Sequence, residues 1–112
     1  MEKNELEEKT IEYQKINEQL QSLAAQKDRL TMQKTEHKNA EVEITKAKGK
    51  VFSAVGSVIV EVTKEDAETS VKERAEMIEL RLTVVNRQIH EFSEKEKKMR
   101  SELEGMLKNN QM

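Results

Sequence analysis

From Val71 onward, apolar residues return at alternating steps of four and three. The positions are Val71, Ala75, Ile78, Leu82, Val85, Ile89, Phe92, Glu96, Met99, Leu103 and Met106, and only Glu96 among these eleven is charged. A 3.5-residue period held over this length specifies a helix that buries a narrow seam against another helix. A disordered chain carries no such period.

The first half holds a weaker version of the pattern. Leu6 is followed by Tyr13, Ile16, Leu20, Leu23 and Leu30, with steps of three, four, three and seven from Tyr13. The same register fills its other slots with Lys9, Lys27, Lys34, His37, Glu41 and Ile44. Long polar side chains there can lay their methylene stems along a groove and keep their charges in water.

The chain has no proline, and its glycines are Gly49, Gly56 and Gly105. Nothing before position 49 interrupts a helix. In KAKGK (46–50) the lysines suit the negative end of a helix dipole, and Gly49 suits a left-handed C-terminal position. Thr63 offers an N-cap hydroxyl, with Glu65 and Asp66 as first-turn carboxylates. The expected helices are 3–48 and 64–108. Joined by a short connector, they should pack antiparallel. That places Tyr13 near Met99, Leu20 near Phe92, Leu23 near Ile89, Lys27 near Val85, Leu30 near Leu82 and Lys34 near Ile78.

Between the helices lies VFSAVGSVIV, in which seven of ten residues are Val, Phe, Ala or Ile. So many β-branched residues in a short run favour strands over a helix. Gly56-Ser57 can supply a type II′ turn, giving strands Val51–Val55 and Val58–Thr63. A lone hairpin is marginal in water, and this one leaves open edges and apolar surface that invite other chains. The expectation is one domain over 1–112 with a mainly α fold. It is a long antiparallel two-helix coiled coil whose central β-hairpin joins hairpins of other subunits in an intersubunit β-barrel. The competing arrangement folds the hairpin back over its own coiled coil.

Composition narrows the function classes. Charged residues make up 38% against 35% hydrophobic, too little apolar volume for an ordinary compact core. The 20 basic and 22 acidic residues are interleaved, and no basic block suggests a nucleic-acid partner. Without cysteine there is no disulfide, thiolate nucleophile or cysteine zinc site, and a reducing cytoplasm fits. The opening MEKNELEEK is unlike a signal peptide. No apolar run approaches the ~20 residues of a membrane span. His37 and His90 sit on different helices and read as solvated or seam-edge residues. Glu7 and Glu8 have no pocket to perturb them. Gly49-Lys50 and Gly56-Ser57 lack the spacing and the strand–loop–helix setting of a phosphate loop. Neither an enzyme nor a cofactor is expected.

The local sequence resembles the β-type subunits of prefoldin. Phe52-Ser53 sits where an aromatic-lysine pair is common in that family. Val55-Gly56, Val58-Ile59-Val60 and Thr63-Lys64-Glu65 follow, and then Leu82-Thr83-Val84-Val85-Asn86-Arg87-Gln88. The single hairpin is similar to the β class, since the α class has a longer connector with two hairpins. Ser53 in place of lysine and the basic KAKGK linker depart from the usual pattern.

The resemblance implies a hexamer of two α-type and four β-type subunits, with a double β-barrel body and six coiled-coil tentacles. It also implies ATP-independent holding of non-native proteins at the tentacle tips and delivery to a group II chaperonin. Val51, Phe52, Val55, Gly56, Val58, Ile59, Val60 and Val62 would build the body. The tips would be the paired chain ends, with Leu6, Ile11, Met99, Leu103, Met106, Leu107 and Met112 as client contacts, since the facing Glu2 and Lys9 cannot cover them. Methionine adapts to unlike apolar surfaces, and Gly105 would loosen the last turns. A structural coiled-coil adaptor or scaffold is the alternative. It shares the heptads but has no use for the apolar hairpin. A nucleic-acid-binding zipper would require a basic region.

Overall fold

The computed structural model describes residues 2–110, with side chains from 4 to 109; the predicted contacts at Glu2 and Met112 lie outside the described side chains. The element order is α1 (Glu2–Lys46), β1 (Val51–Val55), β2 (Val58–Val62) and α2 (Lys64–Asn110). The described residues fall into two compact units. One combines the residues up to Lys27 with those from Val84 on, and the other is Asp28–Thr83.

In the first unit the helices run antiparallel. Lys9 Nζ meets Glu102 Oε2 at 2.9 Å, and the Tyr13 hydroxyl donates to Glu96 Oε2 at 2.8 Å. Leu23 and Val85 are its buried apolar residues, and Tyr13, Ile16, Leu20, Ile89 and Phe92 are half-buried. Tyr13 therefore has Glu96 as its polar partner. The one charged position in the α2 seam is thereby satisfied: the Glu96 side chain is only 16% exposed, and Arg100 Nε lies 3.8 Å from the same oxygen.

In the second unit Ile78 and Leu82 are buried and Leu30 is half-buried. Lys34 pairs with Glu79, which follows Ile78 in sequence and lies outside the seam. On α2 the period-3.5 residues Val71, Ala75, Ile78 and Leu82 are covered, whereas on α1 the expected register slips: Lys34 and Glu41 are exposed, and Gln33 and Ala40 are half-buried instead. Leu82 is 8% exposed and Leu80 is 63% exposed. Leu82→Ala should therefore lower unfolding stability by about 2–4 kcal/mol, whereas Leu80→Ala should change it by about 0.5 kcal/mol or less. Urea denaturation of the two variants beside the parent chain checks this pair.

Two end signals differ from expectation. Helix α1 stops at Lys46 rather than at 48, and Gly49 does not adopt the left-handed conformation; among the described residues Gly56 has the positive φ, at 61°. Ile44 O accepts from Ala47 N at 3.2 Å, and a distant cation serves two carbonyls beside it. Lys64 Nζ donates to Thr45 O at 2.9 Å and to Ala47 O at 3.4 Å. An ammonium group on the last carbonyls does the work of a glycine cap and also favours the dipole, so Gly49 needs no special φ.

At the other side of the hairpin, Thr63 leaves the ladder and caps α2. Its hydroxyl accepts from Asp66 N at 3.0 Å, and its carbonyl accepts from Ala67 N at 3.0 Å. Helix α2 runs unbroken through Gly105 to Asn110. A helical glycine costs about 1 kcal/mol, and the half-buried Leu103 and Met106 flanking it hold the turn together.

Candidate assembly hairpin and client-binding tip

Strands β1 and β2 pair antiparallel as Val51↔Val62, Phe52↔Glu61, Ser53↔Val60, Ala54↔Ile59 and Val55↔Val58. Gly56 takes a positive φ and Ser57 does not, the pattern of a type II′ turn. Open space surrounds Gly56, so its φ alone calls for glycine.

Cross-strand partners share a face. One face therefore carries Val51, Ser53, Val55, Val58, Val60 and Val62. The other carries Phe52, Ala54, Ile59 and Glu61. Val51, Ser53 and Val62, at the hairpin base, are half-buried. Toward the turn the cover ends: Val55 is 64% exposed and Ile59 is 72% exposed, with Phe52 and Val58 also in the open. The hairpin does not fold back over the helices of its own unit. Among the described residues no third strand joins it, so both edges stay unpaired.

The first unit carries both ends of the described chain. Of the predicted tip residues, Leu6, Met99, Leu103 and Met106 are half-buried in the helix pair, whereas Ile11 and Leu107 are exposed. A shallow groove between the helices has Ile16, Phe92 and Met99 as its apolar floor. Glu12, Lys15, Lys95, Lys98 and Glu102 stand around it, and Lys95 Nζ lies 5.0 Å from the Phe92 ring centroid. Ile16 and Phe92 are seam residues by spacing. Their place on the groove comes from the register of the two helices, which spacing within one helix does not fix.

The Lys9–Glu102 pair spans the helices beside this groove. Its hydrogen bond and charge hold the Glu102 carboxyl below its ordinary value and the Lys9 ammonium above its own. The stabilisation from Glu102 is present above the ordinary carboxylate pKa and is lost as pH falls through the lowered one. The Lys9 contribution is present below the ordinary lysine pKa and is lost as pH rises through the raised one. Both groups are half-buried and still reach solvent, so the effect should be small and weakened by salt. The parent chain should melt slightly above Glu102→Gln at neutral pH and low salt. That difference should close in acid, as Glu102 protonates, and thermal melts across pH read it directly.

The histidines stay apart from this machinery. His37 Nδ1 lies 2.8 Å from Gln33 O within its own helix, and His90 is exposed. Among the described residues no group of three or more His, Cys, Asp or Glu is placed to hold a metal. No described helix is long and apolar enough to cross a membrane.

Two long helices zipped antiparallel and joined by a hairpin with open edges define a class of coiled-coil assembly subunit. Comparison with known proteins makes the class specific. The family profile described as "Prefoldin subunit" matches residues 7–110, and the chain belongs to this family. The prefoldin subunit beta of Pyrococcus abyssi is 34% identical over 93 residues, covering 81% of this chain and 80% of that one. The prefoldin subunit beta of Methanosarcina acetivorans is 26% identical over 105 residues, covering 92% and 90%. The crystal structure of the prefoldin beta subunit from Thermococcus strain KS-1 superposes with a TM-score of 0.81 at 29% identity, covering 90% of each chain. The chain is thus a prefoldin chaperone subunit, and its likeness is to the β type.

Proposed function

We propose that this chain works as an ATP-independent holdase subunit. Its hairpin is built into an intersubunit β-barrel, and its paired helix ends hold non-native proteins for delivery to a group II chaperonin. The observation that carries the assembly step is the hairpin, apolar on both faces and unpaired at both edges. In water such a ribbon is marginal alone and gains hydrophobic burial and main-chain hydrogen bonds by joining others. The proposed particle contains two longer α-type subunits with two hairpins each and four copies of the β-type chain, in a reducing cytoplasm. No catalytic step is assigned to any residue.

Client holding is assigned to Leu6, Ile11, Met99, Leu103, Met106 and Leu107, together with the groove floor at Ile16 and Phe92. Apolar contact with a charged rim suits unlike, partly unfolded chains. Flexible methionines repack against different surfaces, and the surrounding Lys and Glu keep the empty site soluble. The seam residues Tyr13, Leu20, Leu23, Leu30, Ile78, Leu82, Val85 and Ile89 keep the helices in register.

The test is light scattering from a chemically unfolded enzyme diluted into buffer with the reconstituted particle and no nucleotide. Suppressed aggregation, followed by recovery of enzyme activity once a group II chaperonin and ATP are added, is the expected result. Unchanged aggregation at a molar excess of the particle would overturn the holdase assignment.

A further inference from the structure

The two edges of the hairpin carry opposite charge where the strands meet the helices. Lys48 and Lys50 lead into β1, and Glu61 and Glu65 lie at the exit of β2. All four are exposed. Among the described residues, no ion pair within the chain joins any of them to an opposite charge.

Backbone geometry says which groups face outward. With a two-residue turn, Val55 and Val58 form a hydrogen-bonded pair, and the pairs alternate from there. Ser53 with Val60 and Val51 with Val62 then bond to each other. Phe52 and Ala54 on β1, and Ile59 and Glu61 on β2, aim their N–H and C=O groups away from the hairpin. Each edge is ready to accept a strand.

Four additions of a second hairpin can be compared. Antiparallel pairing of β1 with another β1 puts the lysines beside the neighbour's turn, with no carboxylate near. Antiparallel β2 with β2 does the same for Glu61. Parallel pairing of like edges sets like charges side by side, which is unfavourable. Antiparallel pairing of β1 with the β2 of another copy brings the lysine-bearing entry against the glutamate-bearing exit. Lys50 and Glu61 then fall on one face as diagonal neighbours, within reach of long side chains.

We propose that this chain recognises a second copy of itself head to tail, β1 edge against β2 edge, with Lys48 and Lys50 of one copy facing Glu61 and Glu65 of the next. The proposal rests on the reading of the hairpin as the assembly element and adds the identity of the neighbour and the edge it uses. A head-to-tail contact leaves one free edge at each end of a pair, so it either closes a ring or hands its ends to another subunit. In this geometry the helices of both copies leave the sheet on the same side, because the entry to β1 and the exit from β2 are adjacent. Antiparallel pairing of like edges would send them to opposite sides.

The test uses two full-length variants, Lys50→Glu and Glu61→Lys, in sedimentation velocity at low salt. Each variant alone sets like charges at the junction and should associate at least about tenfold more weakly than the parent chain. An equimolar mixture should recover the parent affinity. Within each variant the two positions still carry like charges, so recovery on mixing requires that they meet between copies. Raised salt should shrink the differences.

A mixture no better than its components overturns the proposal, as do variants that associate like the parent or a parent chain that stays monomeric at every concentration. The assembly role of the hairpin fails separately. It fails if a charge placed in the apolar ribbon leaves a particle reconstituted with the longer subunit intact.

Discussion

Ile59→Asp should dissolve the oligomer while both helices remain. Ile59 is 72% exposed in the single chain, so the substitution removes almost no packing within it and should leave the far-ultraviolet helix signal unchanged. In a barrel, its face, shared with Phe52 and Ala54, is covered by neighbouring subunits, and a carboxylate there loses its water without gaining a partner. The penalty for such an unpaired buried charge is several kcal/mol, or on the order of a hundredfold or more in association. Val58→Asp tests the opposite face in the same way. Size-exclusion chromatography with light scattering separates the outcomes. A helical chain at monomer mass is expected, and an undiminished oligomer would show that the ribbon is not the contact.

Deleting residues 103–112 should abolish client holding and spare the oligomer. The deletion removes Leu103, Met106 and Leu107 but keeps both cross-helix pairs of the first unit, because Glu96 and Glu102 precede the cut. The remaining helices keep their alignment, and the hairpin, in the other unit, is untouched. At least about tenfold more of the truncated particle should be needed to hold back the same aggregation, a difference of about 1.4 kcal/mol in binding. Full activity of the truncated particle would remove Leu103, Met106 and Leu107 from the client site and leave the groove floored by Ile16, Phe92 and Met99 to carry it. Phe92→Ser would then probe it.

Much of the fold was legible because its main forces are periodic and local. The heptad run marked Ile78, Leu82 and Val85 as seam residues, and these three are buried together with Leu23. The turn could be placed because glycine tolerates the φ of 61° that Gly56 adopts. Thr63 announced its cap through residues directly after it.

What escaped was non-local. The cap on α1 comes from Lys64, across the whole hairpin, so the lysine-glycine signal at 46–50 pointed to the wrong residue. Glu96 looked like a flaw in the seam until the opposite helix supplied the Tyr13 hydroxyl. Tyr13 and Glu96 were both visible in the sequence, but their meeting depends on an interhelical register that neither repeat specifies alone. Met32, Met77 and Leu80 lie off the seam and are exposed. A heptad reading assigns no role to such positions, and single exposed apolar side chains are ordinary on protein surfaces. The charged hairpin ends were also in view, as the basic KAKGK linker and Glu61. They became informative only once the strand pairing showed which groups face outward.

The central claim is that the apolar hairpin joins this chain to other subunits of a multi-armed particle. Native mass spectrometry of the tagged chain, purified from its own host, tests it most directly. The expected result is a six-subunit particle with four copies of this chain and two of a longer subunit. A monomer, or a simple dimer that persists after Ile59→Asp, would contradict it and leave a coiled-coil adaptor in its place.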